Sequence, residues 1–154
     1  MTLPGRGGLG GGQEAGIGPH RYCVDEDLFL WRPRGEVLPE HARGAVAIVL
    51  SIYQQYGYVL YLLDGREAKQ LGPETRRIIV DALRPMRASL AMAAFGLNGV
   101  SRISGILVFR AARLLTGLEF PFKFVASEAA ARVFLSECRE GLARRRSVTA
   151  APQK

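Results

Sequence analysis

The chain has 154 residues, 48% of them hydrophobic, which is enough apolar surface for one continuous core and too little length for several domains. Its formal charge of +7 belongs wholly to the second half: through Arg77 nine basic residues meet nine acidic ones, and the remainder holds twelve against five. Such asymmetry suits either solvated helix faces or a surface for an acidic partner. Two cysteines, Cys23 and Cys138, exclude a disulfide framework, and neither stands at metal-ligand spacing from His20 or His41. They read as thiols of a reducing compartment, and the glycine-rich start lacks the apolar run of a secretion signal, so a cytoplasmic protein is expected.

Residues 1–18 contain eight glycines and few large apolar side chains, and are expected to form a loose tail. Gly5 to Gly10 matches a GxGxxG spacing, but no strand signal precedes it and no helix signal follows, so a dinucleotide loop is not expected. From His20 the pattern changes to two β-prone runs, His20 to Val24 and Leu28 to Arg32, around Asp25-Glu26-Asp27. That is a hairpin signal with a polar turn; the triplet lacks the alternating ligands of a calcium loop.

Pro39 fits a first helical turn, and Ala42, Ala45, Val46, Val49, Ile52, Tyr53 and Tyr56 recur at helical spacing up to Gly57. The run from Tyr58 to Leu63 then reads as a central strand, stopped by Asp64-Gly65. Residues 44–63 carry no charge and are long enough to span a membrane, but Gln54, Gln55 and Gly57 divide them into a helix followed by a strand. A second helix is expected from Pro73-Glu74 to before Pro85, a strand from Ser89 to Phe95, and a third helix from Asn98 to about Leu115. A last strand from Phe120 to Val125 and a fourth helix from Ser127 complete the order. The fold class expected is α/β: a β-hairpin opening, then alternating helices and strands, with a mostly parallel sheet of about five strands and about four helices. Residues 19–146 form the expected domain, and 147–154 a second tail.

This succession resembles the sulfate-transporter and anti-sigma-factor antagonist (STAS) domain, in particular its stand-alone bacterial members. The resemblance covers roughly residues 20–143 and is carried by four features: Arg21-Tyr22-Cys23-Val24 with Leu28-Phe29-Leu30-Trp31, the Tyr58 to Asp64 strand, the Phe95-Gly96 strand end, and the helix start Ser127-Glu128-Ala129-Ala130. It implies a regulatory domain that binds a protein partner and is switched by phosphorylation of a serine or threonine after the central strand. Here this chain departs from the family, because no serine follows Asp64-Gly65. Thr75 is the only hydroxyl at the helix start, and the simpler account of it is a capping hydroxyl. A phosphate there would still gain from the helix N-terminus and Arg76.

No Ser-His-Asp, Cys-His or HExxH arrangement is present, so no catalytic residue, metal ligand or cofactor is assigned. His41 reads as a surface helix residue. Asp64 is the best lone candidate, because open α/β sheets gather ligands beyond the carboxyl ends of their strands; its simpler role is turn formation with Gly65. The leading expectation is a non-enzymatic regulatory or protein-interaction domain whose partner surface includes Asp64, Gly65, Arg66, Thr75, Arg76, Asn98 and Arg102. The alternative is a module for an anionic membrane surface or a hydrophobic ligand, using Arg102, Arg110 and Arg113 beside the apolar stripe of the third helix. Nucleic acid is disfavoured, since Arg144-Arg145-Arg146 is short and has no interleaved aromatics. Oligomeric state is not readable from the sequence.

Overall fold

The structure, a computed structural model, describes residues 12–98 and 120–149. In chain order these form β1 (Glu14–Ile17), β2 (His20–Asp25), β3 (Leu28–Arg32), α1 (Pro39–Tyr56), β4 (Val59–Asp64), α2 (Pro73–Leu83), a 3-10 helix (Arg84–Ser89), β5 (Leu90–Phe95), β6 (Phe122–Val125) and α3 (Glu128–Thr149). The strands make one six-stranded sheet in sequential order, β1 to β6. β1–β2 and β2–β3 are antiparallel, and β3 through β6 are parallel.

The fold is therefore α/β, opens with a hairpin and has the expected mostly parallel sheet, with antiparallel pairing confined to β1–β3; the sheet has six strands where about five are expected. The additional strand is β1, which takes Glu14–Ile17 out of the expected tail. Its residues carry little β preference of their own. They are held by backbone pairing to β2, from Glu14 opposite Cys23 to Ile17 opposite His20, and by Ile17 lying over Gly44 of α1. Pairing of this kind is tertiary and leaves no local signal. Three helices stand among the described residues; the expected helix from Asn98 to Leu115 lies outside them.

Alternation along the strands builds two cores. Phe29, Trp31 and Val59 point to one face and pack with Ala42, Val49 and Ile52 of α1 and Leu83 of α2. Leu28, Leu30, Leu60 and Leu62 point to the other, against Ala131, Leu135 and Leu142 of α3. Phe29, Leu60 and Leu62 are completely buried, each stabilising the sheet by about 2–3 kcal/mol through removal of apolar surface from water. Gly57 ends α1 in the left-handed conformation (φ 79°) and returns its N–H to the Tyr53 carbonyl at 2.7 Å. The uncharged stretch 44–63 is thus a helix and a strand, and no helix among the described residues is long and apolar enough to cross a membrane.

Candidate functional site

β4 ends on its α3-facing side with Asp64, beyond the carboxyl end of the parallel sheet. The chain then turns sharply: the Gly65 N–H donates to the Phe95 carbonyl at 2.8 Å, and a Cβ on Gly65 would run into Leu97. Gly96, with φ +75°, lets the end of β5 pass equally close to Arg66. Arg66 is folded back onto Asp64. Its backbone N–H and Nε reach Oδ1 at 3.2 and 3.0 Å, and Nη2 reaches Oδ2 at 2.7 Å. Arg32 of β3 brings Nε to 3.4 Å from Oδ2 on the other side. It also spans to Glu14 of β1 at 3.4 Å and to Glu128 of α3 at 3.6 Å, and Glu128 holds Arg132 at 3.1 Å.

The Asp64 side chain is only 6% exposed, whereas that of Arg66 is 64% exposed. Burial pushes the Asp64 carboxyl up, but the hydrogen bonds from Arg66 and the charges of Arg66 and Arg32 outweigh it and hold the group below the usual carboxylate range. An ionised carboxylate with both oxygens engaged is a poor general base. What the corner does offer is a rigid array of charge, fixed to strand ends and a helix start, with one guanidinium turned to solvent.

Asp64, Gly65 and Arg66 thus come together as one corner. Thr75 does not join it: the residue is 3% exposed and its hydroxyl donates to the Val37 carbonyl at 3.0 Å rather than capping α2, whose cap is Gly72. Arg76 is half-buried, with its Nε unpaired among the described residues. Asn98 is exposed near the corner's β5 side. Arg102, Arg110 and Arg113, and with them the expected membrane-facing helix, lie outside the described residues. The loop at 33–38 borders the segment after Asp64, for the Gly35 N–H donates to the Glu67 carbonyl at 2.9 Å and Gly35 bridges to Ala68.

Two further polar centres escaped sequence reasoning. At the opposite end of the sheet, Asp27 is buried between the Tyr58 hydroxyl and the guanidinium of Arg139 on α3. At the start of α1, His20 is fully buried and His41, expected on the surface, has a side chain only 13% exposed; their rings join Nε2 to Nδ1 at 3.0 Å. The burial of His20, at the start of a β-prone run, is not legible in the sequence because the β1–β2 pairing beside it leaves no local signal. Among the described residues no group of three or more metal-ligating side chains gathers. Burial pushes both thiols, Cys23 and Cys138, up from their ordinary value, away from nucleophilic thiolate character.

No protein-family model matches the sequence, and no curated protein matches it. Among solved structures the chain is similar to the NMR structure of the protein TM1081, with a TM-score of 0.54 and 16% identity over 86% of this chain and 98% of that one. It is also similar to a crystal structure of TM1081 from Thermotoga maritima, named there as a candidate anti-sigma factor antagonist, with a TM-score of 0.49 and 18% identity over 73% and 92% of the two chains. Likeness at this identity speaks for architecture alone: the chain has a STAS-like α/β fold, a mixed six-stranded sheet opened by a β-hairpin.

Proposed function

We propose that the chain is a non-enzymatic regulatory or protein-interaction domain of the anti-sigma-factor-antagonist kind, acting in the cytoplasm through the edge that runs from Asp64 to Arg76, and that it lacks the family's phospho-switch. The observation that carries this reading is the clamping of Asp64 between Arg66 and Arg32. It spends the carboxylate on positioning and leaves a charged, exposed guanidinium at the rim of a rigid sheet, which is the anatomy of a recognition surface rather than of a reaction centre. The closed-off hydroxyl of Thr75 supports the absence of the switch, since a kinase needs that oxygen at the surface.

The test is site-resolved crosslinking in cells, with a photoreactive residue at Lys69 on this edge and, as a control, at Ser136 on the outer face of α3; both positions are exposed. A protein captured from position 69 and not from 136, and lost on Arg66→Glu, is the expected result. Equal capture at both positions, or capture indifferent to Arg66→Glu, overturns the reading.

A further inference from the structure

Three of the four ring nitrogens of the His20–His41 pair have a hydrogen-bonding neighbour, and these fix the roles of all four. Nδ1 of His20 lies 2.9 Å from the Arg34 backbone N–H, which can only donate, so Nδ1 is the bare nitrogen and Nε2 carries the proton. That proton is given to Nδ1 of His41 at 3.0 Å. The same atom receives the Leu38 N–H at 3.2 Å, the reach-back half of a capping box at the start of α1. The His41 proton is therefore on Nε2, where the Glu40 carboxylate stands 3.8 Å away. Three donors thus converge on two bare nitrogens, and the arrangement closes only while both rings are neutral. An added proton on either ring sets N–H against N–H at a site from which His20 has no access to water.

We infer that the His20–His41 pair is an acid-sensitive latch that releases the loop at 33–38 on mild acidification. The loop is held at both ends by the pair, through the N–H groups of Arg34 and Leu38. Between them it holds two other things: Gly35 pairs with Glu67 and Ala68, and the Val37 carbonyl takes the Thr75 hydroxyl. Opening the latch loosens both attachments together and uncovers Thr75. Its value as regulation rests on the docking edge proposed above; the latch itself does not.

The charge around the pair agrees with this direction. From α1 come His41 and, beyond it on the solvent side, Glu40. β3 contributes the uncharged Trp31 ring, 5.4 Å from His20 between centroids. The β1–β2 turn contributes Gly18, whose backbone backs onto His41 Nε2. The Arg34 guanidinium is turned away to Glu67 at 3.5 Å, and Arg43 to Glu74 at 3.6 Å. Burial first, and then the charge of His41, lower the His20 imidazole from its ordinary 6.5, outweighing the Glu36 backbone, which acts the other way. A lowered value means that the neutral latch is whole above pH 6.5 and is lost as pH falls from there through the lowered value.

The test is NMR of the full chain. Long-range proton–nitrogen spectra at about pH 7.5 are expected to show both rings neutral with the proton on Nε2. Amide exchange protection at Arg34 and Leu38 is expected to fall about tenfold or more between about pH 7.5 and pH 5, while Leu60 and Leu62 in β4 hold theirs. A proton on Nδ1 of His20, or a change at Arg34 and Leu38 under about twofold, overturns the latch. His41→Gln separates the two halves, because glutamine at this helical position can still accept the Leu38 N–H and does not titrate. Leu38 is then expected to lose its pH response and Arg34, still facing His20, to keep one; an unaltered response at Leu38 counts against the latch. Should that variant fail to fold, the unmodified chain's spectra decide the question.

Discussion

The Tyr58 hydroxyl donates to the Asp27 carboxylate at 2.7 Å, and both side chains are buried at the amino end of the parallel strands. Arg139, 112 residues further along, closes on the same carboxylate with Nε at 2.7 Å and Nη2 at 2.8 Å. A turn, a strand start and the long last helix are thereby tied at one point. The carboxylate satisfies all three donors at once, so each member's worth depends on the others.

Removing Asp27 leaves a buried phenol and a guanidinium without their acceptor, and Asp27→Ala is expected to cost about 3 kcal/mol of stability. Arg139→Ala is expected to cost less, about 1–2 kcal/mol, because that side chain is 44% exposed and water screens the pair. Once Asp27 is gone Arg139 has nothing to lose, so the double variant is expected to match Asp27→Ala alone. Urea denaturation of the four proteins checks this; additive losses would mean that the two residues act separately.

Burial, followed by the Asp27 hydrogen bond and charge, pushes the Tyr58 phenol up to about 12. A raised value means that its contribution is whole below pH 10 and is lost as pH climbs through the folded value. Burial also raises Tyr61 and Tyr56. Spectrophotometric titration of the folded chain is thus expected to show phenols that ionise above pH 10, with Tyr58→Phe removing one of them. Five phenols titrating together near pH 10 would contradict the packing around β4.

The sequence made local structure legible and long-range chemistry much less so. Pro39, Gly57, Pro73 and Gly96 punctuate α1, β4, α2 and β5 because they act on their own backbone, and these boundaries agree with expectation to within a residue or two. β1 was hidden, since Glu14-Ala15-Gly16-Ile17 becomes a strand only through the free edge of β2. Asp64, Gly65 and Arg66 were found because turn chemistry and strand end coincide there. The partner of Asp64 on β3, Arg32, was not, and neither was the His20–His41 contact, because nothing in the 20 residues between those histidines encodes their approach.

For Asp64, a value held below 3.8 means that the stabilisation is present above that pH and is lost as pH falls through the folded value. Asp64→Asn keeps the shape but gives up the charge, and is expected to cost about 1–2 kcal/mol near neutrality. Once pH has fallen below that lowered folded value the two proteins should converge, because the native carboxyl is then neutral as well. Urea midpoints measured across the acid range check this. A constant gap at every pH would show that amide geometry, rather than charge, causes the loss.

Thr75 separates a structural hydroxyl from a switch. Thr75→Val preserves volume and removes only the bond to the Val37 carbonyl, for an expected cost of about 1 kcal/mol. Thr75→Asp places a carboxylate against that carbonyl oxygen in a site 3% exposed, and is expected to cost about 3 kcal/mol or more, read as a lowered thermal midpoint. A threonine meant to carry phosphate in the folded state would show the reverse order, with aspartate tolerated by the helix start and Arg76 and valine merely neutral. The order of the two midpoints therefore decides whether the hydroxyl fastens the loop at 33–38 or waits for modification.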